Sequence, residues 1–108
     1  MGKDCEQHVE IRFRTNKLQR QYERSADAVQ AYGLQVARKY VQRIGIIKQA
    51  RDFEELKRLP ALGCHPLEGS RAGHWALKLT GFYRLIFALE GEELEMVLIE
   101  EVSKHYGD

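Results

Sequence analysis

Apolar and polar residues alternate along the start of the chain and then recur with a helical period. Residues 8–14 alternate one by one, which predicts a half-exposed strand. A helical pattern follows from Lys17 to about Ala31, and Tyr32-Gly33 breaks it. The inward positions of this first helix are predicted to be Leu18, Tyr22 and Val29.

A second helix is predicted from about Leu34 to Gln49. Its apolar residues recur at spacings of three and four and therefore define one face of the helix. These inward residues are Ala37, Tyr40, Val41, Ile44 and Ile47. The polar residues expected to lie largely off that face are Arg38, Lys39, Gln42 and Arg43.

The pattern changes to period two after Pro60. Before it, Asp52 and Glu55 have the spacing of a capping box, which predicts a short helical turn. Beyond it, strands are predicted over residues 75–79, 83–89 and 94–99, joined by turns at Thr80-Gly81 and Gly91-Glu92. The predicted fold is a single α+β domain over residues 1–108. In it the N-terminal strand and two helices pack on a small antiparallel sheet, and the first strand joins the edge of that sheet.

Alternation along the predicted strands also assigns side chains to the two faces of the sheet. Trp75, Leu77 and Leu79 share the face expected to pack in the core, and His74, Ala76 and Lys78 share the other. In the next strand Arg84 lies opposite the apolar set. Lys78 and Arg84 are therefore expected to meet on the face directed away from the helices, where a substrate strand could lie.

Composition limits the class of protein. With 108 residues, of which 44% are hydrophobic and 31% charged, the chain is expected to form one soluble globular domain. No apolar run is long enough to cross a membrane. The polar N-terminus does not have the features of a signal peptide, so a cytoplasmic location is expected. Cys5 and Cys64 are expected to be reduced thiols there.

The two halves of the chain differ in charge. Residues 1–58 contain 13 Lys and Arg against 8 Asp and Glu, whereas residues 59–108 contain 4 against 8. Two ordinary solvated surfaces would give this distribution, and so would a basic face that binds a polyanion or an acidic partner. Both interpretations stay open on the sequence alone.

The candidate catalytic residues lie in the second half of the chain. His65 stands on a turn stiffened by Pro66, and an imidazole can act as acid or base near neutral pH. Arginines, a tyrosine and further histidines follow it toward the C-terminus, a combination that suits cleavage of a phosphodiester. The spacing of His65, His74 and His105 fits no zinc motif, so no metal is expected.

Several of these segments together resemble a known family. They are Leu59-Pro60, His65-Pro66-Leu67 with Gly69, Arg71-Ala72-Gly73-His74-Trp75, Tyr83-Arg84-Leu85-Ile86-Phe87, and the ending from Glu101 to His105. The chain resembles the HigB-like branch (plasmid maintenance system killer proteins) of the RelE/ParE toxin superfamily. The resemblance covers roughly residues 8–106, and the order of strand, helices and meander agrees with it.

The resemblance implies a toxin of a two-gene toxin–antitoxin module that cleaves mRNA in the decoding site of the ribosome. The implied partners are a cognate antitoxin, the ribosome and mRNA, without a membrane, and the reaction needs neither a metal nor another cofactor. The implied catalytic residues are His65, Arg84, His105 and Tyr106. The implied RNA-binding residues are Arg71, His74 and Lys78. The predicted helices offer a surface for the antitoxin.

Departures from the family pattern keep other functions open. Glu68 stands where the family often has a lysine, and Ser70 stands where an aspartate is common. A ParE-like toxin that inhibits DNA gyrase without cleaving RNA, a degenerate member that only binds a partner, and an unrelated interaction module are the alternatives. Arg84 could also pair with Glu95 or Glu100 instead of a phosphate.

Overall fold

The computed structural model describes residues 9–91 and 96–104. The strands and helices, in chain order, are β1 (Glu10–Phe13), α1 (Asn16–Glu23), α2 (Ser25–Tyr32), α3 (Leu34–Gln49), α4 (Phe53–Lys57), β2 (His65–Pro66), β3 (His74–Lys78), β4 (Tyr83–Glu90) and β5 (Met96–Lys104). Short 3-10 turns, Pro60–Leu62 and Gly69–Arg71, stand on either side of β2.

Within the described residues the strands form one five-stranded sheet in the order β1-β5-β4-β3-β2. The predicted α+β fold and the β3-β4-β5 meander are confirmed. The first strand joins the sheet at its edge, as predicted, but it lies parallel to β5, so the sheet is mixed and not wholly antiparallel. The long helical connection between β1 and the meander allows this parallel arrangement, which a tight hairpin could not produce.

The single helix predicted over residues 17–31 is two helices. The backbone of Arg24 is extended, with φ −125° and ψ 101°, and it separates α1 from α2. The Tyr32 hydroxyl of α2 then donates to the Gln21 side chain of α1 at 2.7 Å, and Ala28 is fully buried. Tertiary contacts of this kind override local helix propensity, which explains why the periodicity missed the break.

The core lies between the helices and one face of the sheet. On α3 the predicted face is confirmed, because Ala37, Tyr40, Ile44 and Ile47 are buried and Val41 is half-buried. The matching sheet residues are Leu77, Leu85, Phe87, Val97 and Ile99. Burying a side chain such as Phe87 stabilises the fold by roughly 1.5–3 kcal/mol. The rings of Trp75 and Phe53 meet edge to face with their centroids 4.7 Å apart, so the tryptophan packs against the core.

Arg43 was predicted to lie largely off the apolar face of α3, and this prediction is wrong. Its exposed fraction is only 8%. Its Nε donates to the backbone carbonyl of Lys78 at 3.1 Å, and Nη1 donates to the Gln42 side chain. Arg43 thus ties α3 to the end of β3.

The predicted start of the short helical turn is confirmed by its hydrogen bonds. The backbone N–H of Glu55 donates to the Asp52 carboxylate at 3.0 Å, and the Glu55 carboxylate accepts from the N–H of Arg51 at 2.8 Å. The first contact satisfies a donor that the first turn of a helix leaves free, and the second ties the Glu55 side chain to the residue before the N-cap. In the part of the chain that the structure describes, no helix is both long and apolar enough to cross a membrane.

Candidate functional site

The strand register defines the sheet face that is turned away from the core. His65 pairs with Ala76, Ala76 with Ile86, and Ile86 with Glu101, so these residues share that face. We call it the open face. Its other members are Glu10, Arg12, His74, Lys78, Arg84, Ala88, Glu90, Met96, Leu98, Glu100 and Ser103. The prediction that Lys78 and Arg84 meet on this face is confirmed, because the two residues are direct partners across β3 and β4.

His65 is exposed on the edge strand of the open face. Its Nδ1 lies 3.0 Å from the carbonyl oxygen of Gly63. A carbonyl only accepts, so Nδ1 carries the hydrogen in this contact and Nε2 of the neutral ring is left as an acceptor. Gly63 adopts the left-handed conformation, φ 54° and ψ 41°, which brings its carbonyl under the ring. The backbone contact expected for a turn histidine is present, and it also presents one ring nitrogen outward.

Lys78 lies close to His65 on the same face. The two are diagonal neighbours, because Lys78 follows the partner of His65 by two residues, and such neighbours have Cα atoms about 7–8 Å apart. A Cβ added at Gly63 would lie 3.9 Å from the Lys78 Cβ, which places this loop beside the lysine. His65, Lys78 and Arg84 form what we call the His65 cluster.

Arg84 is held by backbone carbonyls and not by a carboxylate. Its Nη1 donates to Thr80 O at 2.7 Å and to Tyr83 O at 3.0 Å. Among residues 9–91 and 96–104, neither Arg84 nor Lys78 has an ion-pair partner. Pairing of Arg84 with Glu100 is therefore wrong, and Glu95 lies outside the described residues. The positive charge of the His65 cluster is left available to an anion.

A β-bulge in β5 interrupts the alternation of the open face. Phe87 pairs with Ile99, but the next pair joins Ile86 to Glu101, so Glu100 is the extra residue. A bulge of this kind re-aims the side chains around it. Both Glu100 and Glu101 consequently lie on the open face. Glu100 directly follows the core residue Ile99, and Glu101 pairs with the open-face residue Ile86.

The two glutamates bind cations of the open face. Glu101 accepts from Arg71 Nη2 at 2.8 Å. Glu100, whose side chain is only 9% exposed, accepts from Arg14 at 2.7 Å and lies 3.5 Å from His74 Nε2. His74 Nδ1 is buried and has no hydrogen-bond partner among the described residues. We call these residues the glutamate cluster: Arg14, Arg71, His74, Glu100 and Glu101.

The structure thus separates the predicted site residues into two groups. His65, Lys78 and Arg84 are brought together, whereas Arg71 and His74 contact carboxylates on the β5 side. Sequence reasoning missed Arg14 and Glu100, because their contact goes with a register shift in β5 that local spacing does not encode. His105 and Tyr106 lie outside the described residues. Within those residues no group of three or more His, Cys, Asp or Glu side chains is placed to hold a metal ion.

The sequence of the chain matches a protein-family model over residues 11–101, described as the RelE-like toxin HigB of type II toxin–antitoxin systems. The chain belongs to the HigB-like toxin family. It is therefore a toxin of the RelE-like superfamily, and the resemblance inferred from the motifs is confirmed. No curated protein sequence matches the chain.

Several solved structures share the fold of this chain. The YoeB/ParE toxin from Agrobacterium tumefaciens shares 22% identity, with a TM-score of 0.56 over 90% of this chain and 99% of that one. The DinJ–YafQ toxin–antitoxin complex from E. coli contains a chain with 18% identity and a TM-score of 0.59, covering 94% and 99%. The YoeB–YefM complex from Staphylococcus aureus contains a chain with 16% identity and a TM-score of 0.53, covering 92% of this chain and 99% of that one. At these identities the likeness shows the fold alone.

Proposed function

We propose that this toxin is a metal-independent endoribonuclease that cleaves mRNA on the ribosome and thereby inhibits translation. The observation that carries the proposal is the His65 cluster, in which the exposed histidine is the diagonal neighbour of Lys78 and Lys78 pairs with Arg84. Neither cation has a carboxylate partner among the described residues. Family membership supports the same interpretation, since the residues of the His65 cluster lie within the matched range 11–101. A cytoplasmic location follows from a ribosomal target.

The proposed reaction uses the RNA's own 2′-hydroxyl as the nucleophile. His65 Nε2 accepts the proton of that hydroxyl, and the oxygen attacks the adjacent phosphorus. The bond to the 5′ oxygen of the next nucleotide breaks, which leaves a 2′,3′-cyclic phosphate and a 5′-hydroxyl. Lys78 and Arg84 stabilise the negative charge that grows on the phosphate oxygens. His105 and Tyr106 are proposed to assist, with one of them protonating the leaving oxygen.

Arg71 and His74 are proposed to bind RNA outside the His65 cluster. An RNA strand that runs over the open face from β2 toward β5 would contact both residues. Since both already contact glutamates, binding of RNA there involves competition between a phosphate and a carboxylate.

The proposed protein partner is a cognate antitoxin. This is supported by the names of the DinJ–YafQ and YoeB–YefM structures, each of which is a complex of a toxin of this fold with an antitoxin. The surface of α1 and α2 is the proposed contact. It includes a groove of about 480 Å³ lined by Lys17, Arg20, Gln21, Asp27, Gln30 and Ala31.

The deciding experiment induces the toxin without an antitoxin and maps the 5′ ends of cellular mRNA. Cuts inside translated codons with 5′-hydroxyl ends are expected for the wild type and expected to disappear in His65→Ala and Arg84→Ala. Arg38→Ala is the matched control, because Arg38 is an exposed arginine on α3, away from the open face. Growth arrest without such cuts would remove the nuclease proposal.

A binding-only toxin is the second candidate, and the glutamate cluster favours it. Two carboxylates neutralise part of the open face, which weakens the attraction for a polyanion. A ParE-like inhibitor of DNA gyrase would use this fold to bind gyrase without cleaving RNA. A supercoiling assay with purified gyrase separates the candidates: inhibition that survives His65→Ala would favour the binding toxin.

A further inference from the structure

The ion pair between Arg71 and Glu101 crosses the open face. Arg71 ends the turn between β2 and β3, whereas Glu101 belongs to β5, so β3 and β4 lie between the two backbones. Ile86, the open-face residue paired with Glu101, is only 5% exposed although it lies outside the main core. The pair therefore occupies the middle of the surface on which a substrate strand is proposed to lie.

This pair has the character of an exchangeable contact. The side chains of Arg71 and Glu101 are 43% and 45% exposed, so both reach solvent, and such pairs contribute little to stability. The carboxylate accepts from a single nitrogen of Arg71. A phosphate competes for the same guanidinium, which matches phosphate and carboxylate oxygens alike. Glu100 differs, because it is buried against Arg14 and His74.

We propose that the Glu101 carboxylate stands in the place of an RNA phosphate and that bound RNA displaces it from Arg71. This phosphate subsite lies on the β5 side of the open face. It is separate from the phosphate at His65, since His65 and Glu101 are three strands apart, or roughly 14 Å between Cα atoms. The inference rests on the proposed function only in taking RNA as the ligand.

The exchange gives the free toxin a low affinity for RNA. A bound RNA strand must break the Arg71–Glu101 pair and then lie near the Glu101 charge. Binding is therefore favourable only when the rest of the RNA strand is held as well. Glu101 is thus an intramolecular competitor of the substrate, and Arg71 serves a phosphate other than the one that is cleaved.

The test measures binding of the purified toxin to a fluorescein-labelled 2′-O-methyl oligoribonucleotide, which lacks the attacking hydroxyl, by fluorescence anisotropy at low salt. We expect Glu101→Gln to bind about two- to fivefold more tightly than the wild type, the range that an exposed ion pair supports. In an Arg71→Ala background the same substitution is expected to change nothing. Glu90→Gln is the matched control, because Glu90 is an exposed open-face carboxylate at the far end of β4.

The alternatives give different results. If Glu101→Gln tightened RNA binding equally in the wild-type and Arg71→Ala backgrounds, the cause would be general charge repulsion, and the exchange would be overturned. Tighter binding by Glu90→Gln as well would have the same meaning. Weaker binding by Glu101→Gln would show that Glu101 positions Arg71, which also overturns it. Failure of every variant to bind, with unchanged circular dichroism, would overturn this inference but not the proposed function, which the mapping of mRNA cuts in cells tests separately. Oligonucleotide binding without mRNA cuts in cells would remove the nuclease alone. Glu101→Ala repeats the comparison with a second substitution.

Discussion

Arg43, a buried residue of α3, donates from Nε to the backbone carbonyl of Lys78 at 3.1 Å. This bond joins the core helix α3 to the strand end that carries one cation of the His65 cluster, so the position of Lys78 depends on a residue on the other side of the sheet. The contact also satisfies a charge that is almost completely removed from water.

Arg43→Met is expected to destabilise the fold by about 1–3 kcal/mol, because the carbonyl of Lys78 loses its partner while the apolar volume is roughly kept. Urea denaturation measures the change. Arg38→Met, on the exposed side of the same helix, is expected to stay within about 0.5 kcal/mol of the wild type. Equal effects of the two substitutions would contradict a specific role of the Arg43 bond.

Arg84→Lys is expected to lower the rate of mRNA cleavage by about tenfold or more even though it keeps the charge. Lysine cannot donate to two turn carbonyls and also present a planar fork to a phosphate. Cleavage of a ribosome-bound message in vitro gives the rate. A fully active Arg84→Lys toxin would show that charge alone matters at this position.

Gly63→Ala is expected to cost about 1 kcal/mol, because its φ of +54° lies in the left-handed region that alanine avoids. Since the Gly63 carbonyl accepts from His65, cleavage is expected to fall beyond the loss of stability. Thermal denaturation and cleavage measured together test this. Gly45→Ala, on α3, provides the control, because no positive φ is present and nothing lies within 4 Å of the added Cβ.

Cys64 is expected to react slowly with iodoacetamide. Burial raises the pKa of this thiol from 9.0 to about 11, and the nearby Lys57 only partly opposes the shift. At pH 7.5 the thiolate is then roughly a hundredfold rarer than in an ordinary thiol. A Cys5→Ser variant leaves Cys64 alone for the measurement, and the same protein in urea provides the reference rate. Similar rates in the two states would contradict the shift.

The same shift predicts how stability depends on pH. A pKa raised in the folded state means that the neutral thiol is favoured by folding. Its contribution is fully present below about pH 9, the ordinary value, and is lost as the pH rises toward 11. A Cys64→Ala variant is expected to show a flatter loss of stability over that range.

Local patterns were sufficient for several elements. The three- and four-residue spacing on α3 identified its buried face, and the hairpin between β3 and β4 was enough to place Lys78 beside Arg84. In each case the determining interactions lie close together in sequence or repeat with a regular period.

Features that depend on distant contacts were not predictable. The break at Arg24 goes with a bond from Tyr32 to Gln21, and the burial of Arg43 requires a carbonyl 35 residues away. The parallel pairing of β1 with β5 joins strands from opposite ends of the chain. For the site, the engagement of Arg71 and His74 by glutamates follows from a register shift that no local spacing encodes.

The extra residue Glu100 also changes which residues of β5, the even-numbered or the odd-numbered, lie on the open face. Before it, the even-numbered Leu98 lies on the open face; after it, the odd-numbered Ser103 lies there, beside Arg84, while Val102 meets Leu85. If β5 kept its length and its core pairs before Glu100 but paired without the bulge, Ser103 would be buried and Val102 exposed. The register shift at Glu100, as much as the composition of β5, therefore decides which side chains a bound RNA strand would meet.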